Sequence, residues 1–385
     1  MSQDKINARM PQFPEPLWRD SVDFPSFPKL NENVSADVAI IGAGITGLTA
    51  AYRLVKQGKK VVIIEASNVL NGTTGHTTAK VTAQHGLIYD EFIQHFGEEK
   101  AKLYYEAGRD AINWLRTTAK EENIDCDWSD EDAYVYTNDS SYVEKINKEA
   151  KAYETLGIEG GLAETMPLKV PFKAAVRMTN QAQYHPLKFY RKILSIITEK
   201  GGKVFEHTTA VKVKKAGSLE VTTRDGYTVT CEHVIEGSHF PFYDRDYYFT
   251  RLYPMRSYLI AIKPKKEFPG GMYITAEEPT RSVRSALYRG EEVLLVGGEN
   301  HKTGHGISTH EHYEALEQYA EEEFGIKEFP YRWSAQDLVT LDKLPYIGRT
   351  SDDENIYVAT GYRKWGMTNG TAAGLLISEL IMNRQ

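Results

Sequence analysis

At 385 residues, with 41% hydrophobic and 26% charged side chains, the chain has the material for a sizeable globular core and the length for about two domains. A formal net charge of −7, with no basic stripe interleaved with aromatics, argues against a nucleic-acid partner, because neutralising phosphates needs a concentrated basic surface. No apolar run approaches the ~18 residues needed to span a bilayer.

In chain order, residues 1–35 are rich in Pro and Phe and have neither helical nor strand period. They predict an extended arm whose aromatics, Phe13, Trp18, Phe24 and Phe27, lie along the body of the protein, since disordered tails are usually poor in aromatics. The N-terminus has no charged-then-apolar signal pattern. Cys126 and Cys231 form no CxxC pair and no metal-binding spacing with histidine, so they read as ordinary thiols and no metal is expected. Low cysteine use fits a reducing compartment, and a cytoplasmic location is expected.

From Ala36 the pattern changes. ADVAIIGAGITGLTAAYRLVKQGKKVVIIEAS reads as strand, tight glycine turn, helix and strand, with the continuous apolar runs VAII and VVII typical of parallel strands covered on both faces. Gly42, Gly44 and Gly47 make GxGxxG in that context. The first glycine permits the turn, the second lets backbone approach a pyrophosphate, and the third allows helix and strand to pack closely. The helix start, at Ile45 and Thr46, offers free N–H groups and a partial positive charge to the same pyrophosphate. Glu65 ends the second strand 18 residues after Gly47, where a carboxylate can accept hydrogen bonds from both ribose hydroxyls of an adenosine.

The fingerprint alone does not separate NAD from FAD. The segment NGTTGHTTAKVTAQHG, residues 71–86, is too polar and small to be simple filler, and Thr73, Thr74, Thr77 and Thr78 offer hydroxyls and N–H groups to a cofactor that continues past its pyrophosphate. Two helical stretches follow, DEFIQHFGEEKAKLYYEAGRDAINWLRTTAKEEN and SSYVEKINKEAKAYETLG. HPLKFYRKILSIITEKG places Pro186 at a helix start and glycine at its end. Short strands come next, then longer ones between about 250 and 300, a charged helix (HEHYEALEQYAEEEFG), and the strand NIYVATG. The final GYRKWGMTNGT is a glycine-punctuated loop running into an apolar helix.

Together these segments resemble the FAD-dependent oxidoreductases of the D-amino-acid oxidase superfamily, a group that includes glycine and sarcosine oxidases and amino-acid dehydrogenases. The resemblance covers nearly all of residues 36–383. It implies an α/β fold: a Rossmann-like FAD-binding domain (36–90, 185–245 and 335–385), interrupted by a substrate domain with a mixed, largely antiparallel sheet (91–184 and 246–334). The adenosine side is assigned to Glu65, Ala66 and Ser67, with Val211 meeting the adenine and Gly237 at a strand end beside the cofactor. GTTGHTTAK, including Ala79 and Lys80, would run along the ribityl chain and the flavin ring. Gly361 would let the last strand turn and Trp365 would cover the ring. The N–H groups of Gly366, Met367 and Thr368 would then face the pyrimidine edge, where reduction leaves negative charge.

No second GxGxxG is present for a pyridine nucleotide, since GGENHKTGHG has the wrong spacing. The expected reductant is therefore a small amine or amino acid that gives hydride to the flavin. A carboxylate on it would want an arginine. Arg284 is the first candidate, Arg256 and Tyr258, on one face of their strand, come next, and Arg363 follows. Lys80 is a candidate cation beside the flavin; His76 and His85 read as structural. More narrowly, GTTGHTTAKVTAQHGL and GYRKWGMTNGT are similar to a bacterial subgroup with a C-terminal Rieske iron–sulfur domain. The sequence shows no CxH or CxxH ligand pairs and ends where that domain would begin, which leads to the expectation that it is missing. The alternative reading is an electron-transfer module that works with an iron–sulfur domain or partner. A binding protein that kept only the nucleotide fold is a third, against which the intact motifs at both chain ends argue.

Overall fold

The computed structural model describes residues 10–351, 353 and 355–383. The chain divides into two compact units, one of residues 22–77, 186–254 and 337–385, the other of the remaining segments up to residue 336.

The first, the GxGxxG unit, is built on a six-stranded sheet. Its order is Tyr346–Arg349, Ile356–Thr360, His233–Glu236, Val38–Ile41, Val61–Ile64, Lys203–Phe205. All pairings are parallel except that of the edge strand Tyr346–Arg349 with Ile356–Thr360. The central strands VAII and VVII are buried at every residue, as unbroken apolar runs in a doubly covered parallel sheet should be. Helix Ile45–Lys56 lies close to helix Gly366–Met382, whose Gly374 leaves no room for a side chain: a Cβ there would sit 2.7 Å from that of Thr49. On another side Thr49 Oγ1 and the Tyr190 hydroxyl share a 3.1 Å hydrogen bond with helix Pro186–Glu199. A second, four-stranded sheet runs Val34–Ser35, Thr228–Cys231, Ser218–Thr223, Ala210–Ala216. Its Val213, Leu219, Val221 and Val229 share a core with Ala39, Ile41, Val62 and Ile64.

The other unit carries a nine-stranded mixed sheet. Along its main path the strands are Ile326–Thr340, Leu252–Pro264, Glu291–Lys302, Arg281–Tyr288, Met272–Thr275, Ser129–Thr137, Ala174–Gln183 and Lys80–Val81, with Gly160–Leu162 paired to Ala174–Gln183. From Leu252–Pro264 onward along this path the pairing is antiparallel apart from Met272–Thr275 against Ser129–Thr137. Helix Thr309–Glu323 buries Tyr313, Leu316 and Ala320 in the core with Tyr134, Ile260, Leu294 and Val296. The expected first helical stretch is two helices, Tyr89–Phe96 and Glu98–Glu121, because Gly97 adopts φ +83° and stops the first. The start of the first receives a carboxylate from elsewhere: Glu149 accepts the N–H groups of Ile88, Tyr89 and Asp90.

The arm differs from expectation in detail. Phe13 is 74% exposed, while Leu17 and Trp18 are buried. A short helix, Leu17–Asp20, supplies the burial that an extended arm would have taken from Phe13. Phe24 and Phe27 are half-buried. Among the described residues no helix is long and apolar enough to cross a membrane.

Candidate functional site

In the GxGxxG unit the glycines are held by sterics. Gly42 has φ +101°, and a Cβ there would lie 2.6 Å from the Gly237 carbonyl oxygen. A Cβ on Gly47 would lie 2.0 Å from the Gly42 oxygen, so strand end, turn and helix meet with no space for a side chain. Gly44 precedes helix Ile45–Lys56, and no side chain of its own caps the first turn. Thr74, in the turn Thr73–His76, instead brings Oγ1 to 3.3 Å from the Ile45 N–H. Hydroxyl and helix start thus converge on the spot where a pyrophosphate would sit.

Glu65 is held in place by backbone: its carboxylate accepts the Ala43 N–H and the Ser67 N–H, each at 2.9 Å, with Ala66 in the turn between. Nearby, Glu206, which sequence reading passed over, is buried and accepts the N–H groups of Val69 (2.7 Å) and Phe27 (2.9 Å). It fixes the segment after Ser67. Val211 lies on the four-stranded sheet, 49% exposed.

The C-terminal loop belongs to the same unit. Gly361 has φ +78° at the end of strand Ile356–Thr360, and a Cβ there would be 2.5 Å from Thr340 Cγ2. Trp365 precedes helix Gly366–Met382, and the N–H groups of Gly366, Met367 and Thr368 form its first turn, where no intrahelical acceptor exists. Tyr362 joins the two nucleotide motifs: its hydroxyl is 2.7 Å from Thr46 Oγ1. Burial pushes its phenol pKa up, with the Thr46 bond opposing. Asp337 supports the loop from below. Burial raises its pKa, while His239, Lys364 and the Lys364 N–H pull it down, and Arg363 N–H donates to the Leu338 carbonyl at 3.1 Å. Neither Tyr362 nor Asp337 had a sequence signal, because each acts on a segment far away in the chain.

Within the other unit, Thr78, Ala79 and Lys80 lead into strand Lys80–Val81, with Ala79 buried at φ +57°. Thr77 ends the GxGxxG unit's segment just before them. Lys80 Nζ donates to the Tyr273 carbonyl at 2.8 Å. Some Lys80 surface stays exposed. The protein packed around its ammonium, and next the positive charge of Arg284, lower its pKa to about 7.

Arg284, 2% exposed on strand Arg281–Tyr288, donates from Nε to the Thr78 carbonyl at 2.6 Å and lies over the Trp18 ring at 5.2 Å. Among the described residues its buried Nη2 has no hydrogen-bond partner. Burial lowers its pKa to about 9 against the pull of Glu131 and Asp127. Arg284 is thus a buried cation with an unsatisfied donor, and its charge bears on the partly exposed Lys80.

The remaining candidates lie elsewhere. The register shifts between Arg256 and Tyr258, which leaves them with different partners. Arg256 Nη1 donates to Ser334 Oγ at 2.8 Å. Tyr258 is buried and stacks on His301 and His312, its hydroxyl 3.1 Å from His301 Nε2. His76 bonds the Gly72 carbonyl, and His85 the Tyr104 hydroxyl and Thr82 carbonyl. Cys126 and Cys231 are buried and not in a disulfide, and burial raises Cys231 to about 12.

The glycine cradle, the anchored Glu65 and the two helix starts are a set that fits FAD, with Gly42, Gly44, Gly47, Thr74 and Glu65 suited to hold its nucleotide half. A model of the DAO family, FAD dependent oxidoreductase, matches residues 37–380. The Bacillus subtilis protein YhfW, named provisionally as a Rieske 2Fe-2S iron–sulfur protein, is 49% identical over 97% of this chain and 74% of its own length. Gamma-glutamylputrescine oxidoreductase of Escherichia coli is 25% identical over 92% of this chain and 85% of that protein. Among solved structures, glycine oxidase from Geobacillus kaustophilus shares the fold with a TM-score of 0.77 at 17% identity, covering 92% of this chain and 96% of that one. This chain belongs to the DAO family of FAD-dependent oxidoreductases.

Proposed function

We propose that this protein oxidises the carbon–nitrogen bond of a small amine or amino acid that carries a carboxylate. The GxGxxG unit would bind FAD, and the unit holding Arg284 would bind the substrate. When bound, FAD accepts the hydride from the carbon next to nitrogen. Arg284 carries this reading: its buried Nη2 has no acceptor among the described residues, and a substrate carboxylate would supply one. Lys80, with a pKa of about 7, would be neutral in part of the population near neutral pH and able to take up or release a proton beside that anion. Thr73, Thr77 and Thr78 would serve the cofactor with Thr74, and Gly237 and Val211 the adenosine. Trp365 and the helix start Gly366–Thr368 would stabilise negative charge on the flavin ring. Tyr258, already stacked and hydrogen-bonded, is the weakest of these assignments.

The names of the Escherichia coli and Geobacillus proteins, an oxidoreductase of an amine and a glycine oxidase, support this chemistry. Anaerobic mixing of holoenzyme with glycine, N-methyl amino acids, D- and L-amino acids and amines lacking a carboxylate tests it. Reduction of the flavin by a carboxylate-bearing member is expected. No reduction by any compound would remove the reading.

A second reading concerns where the electrons go, and the iron–sulfur name of YhfW supports it: the reduced flavin would hand them to a Rieske-type centre rather than to oxygen. Stopped-flow reoxidation separates the two. Reoxidation much faster with an added Rieske protein than with air would favour this partner, and fast reoxidation by air alone would discard it.

A further inference from the structure

We propose that Trp18 is a positioning residue for the substrate: the N-terminal arm lays its indole on the Arg284 guanidinium and so holds that arginine's free edge in place for a carboxylate. The inference rests on the reading of Arg284 as the anion ligand.

A buried arginine is normally fixed by a carboxylate, but such a partner would also consume the edge a substrate needs. Here Glu131, the carboxylate that attracts it most, is engaged elsewhere. Its Oε1 accepts Ser129 Oγ at 2.6 Å and its Oε2 the Gly271 N–H at 2.7 Å. The Thr78 carbonyl takes Nε, leaving the guanidinium one tether and one plane to define. The Trp18 face, 5.2 Å away and 1% exposed, defines that plane without using a donor or cancelling the charge.

The arm is fastened on both sides of the indole. Arg332 donates to the Pro11 carbonyl at 2.6 Å and the Gln12 carbonyl at 2.9 Å, and the Glu15 N–H returns to the Arg332 carbonyl. Asp20 accepts the hydroxyls of Tyr331 and Tyr288, the latter on the strand that carries Arg284. Ser21 Oγ lies 2.8 Å from His185 Nε2, and the His185 ring meets Trp18 edge-on at 4.9 Å.

The test uses FAD-loaded protein and two probes of one shape, propionate and propionamide, titrated by the change in flavin absorbance. Trp18→Phe keeps an apolar ring with a weaker π face, Trp18→Ala removes it, and Arg284→Gln removes the ligand. With FAD content unchanged, the Trp18 variants should weaken propionate binding by roughly two- to thirty-fold and leave propionamide unaffected. With the true substrate, KM should rise and kcat hold. If Trp18→Ala does not fold, Trp18→Phe decides. Equal weakening of both probes, or none, overturns the role of Trp18 while Arg284→Gln still loses propionate. Should Arg284→Gln keep propionate affinity, or the natural protein fail to bind it, the Arg284 reading falls and the proposal with it.

Discussion

Replacing Gly47 by alanine asks the most of the nucleotide cradle. The added Cβ would lie 2.0 Å from the Gly42 carbonyl oxygen and 3.1 Å from Ile40 Cγ2. Gly42 cannot retreat, because the space where its own Cβ would be is closed by the Gly237 carbonyl at 2.6 Å. Overpacking costs roughly 1–3 kcal/mol when side chains can yield. The tightest obstacle here is backbone that is itself backed by backbone, so the apo-protein should lose about 3 kcal/mol. Relief comes by pushing the helix away from the strand by about 1 Å, and a misplacement of that size costs on the order of 100-fold where geometry matters. Fluorescence titration of apo-protein should therefore show FAD affinity reduced by about two orders of magnitude. Gly58→Ala is the control: Gly58 has φ +81° with nothing within 4 Å of its Cβ position. It should cost about 1–2 kcal/mol of backbone strain and leave FAD affinity intact. Equal FAD affinity in Gly47→Ala and Gly58→Ala would refute the claim that close approach, rather than generic stability, is what Gly47 serves.

Three further outcomes follow from the same geometry. Tyr362→Phe leaves Thr46 Oγ1 without its 2.7 Å partner and should lower the urea-melt stability of apo-protein by about 1–2 kcal/mol; adding Thr46→Val should recover part of it, and strict additivity would deny the coupling. Arg284→Lys keeps charge but loses the planar fork, so kcat/KM for a carboxylate-bearing substrate should fall at least tenfold, or about 1.4 kcal/mol, with amines lacking the carboxylate unaffected. Lys80 has a folded pKa of about 7, below 10.5, so the unfolded chain binds the extra proton between these values and stability rises with pH across that window. A sealed amine would contribute ~5 kcal/mol over it, and the exposed surface of Lys80 argues for roughly half. Lys80→Met should flatten the slope of stability between pH 7 and 10, and an unchanged slope would contradict a depressed Lys80.

What could be read in the sequence depended on how far a residue's partners lie along the chain. Gly42, Gly47 and Glu65 belong to a single strand–turn–helix–strand unit, where spacing and sterics are local: Gly47 closes on Gly42, and Glu65 accepts the N–H of Ala43 beside it. Thr46 gave no hint of Tyr362, which is 316 residues away, and Glu206 gave none of Val69 or Phe27, because hydrogen bonds between distant segments leave no period in a sequence. Lys80 shows the same limit for charge. A lysine in a polar loop ordinarily reaches water, and only pairing of strand Lys80–Val81 with Gln183 and Ala182 draws its amine to the Tyr273 carbonyl beside Arg284. The arm is the instructive middle case. Its aromatics suggested a surface to lie on, but composition could not rank the buried Trp18 over the exposed Phe13. That ranking needed the buried cation that Trp18 covers, which lies far along the chain on another strand. If Trp18 matters through Arg284, the arm is selected by the substrate site and not by the core, and substitutions at Leu17 should change stability while those at Trp18 change substrate affinity. Leu17→Ala should cost about 2–5 kcal/mol of stability with the KM of the folded holoenzyme unmoved, and a KM shift as large as that of Trp18→Phe would show that the arm acts as one packed block.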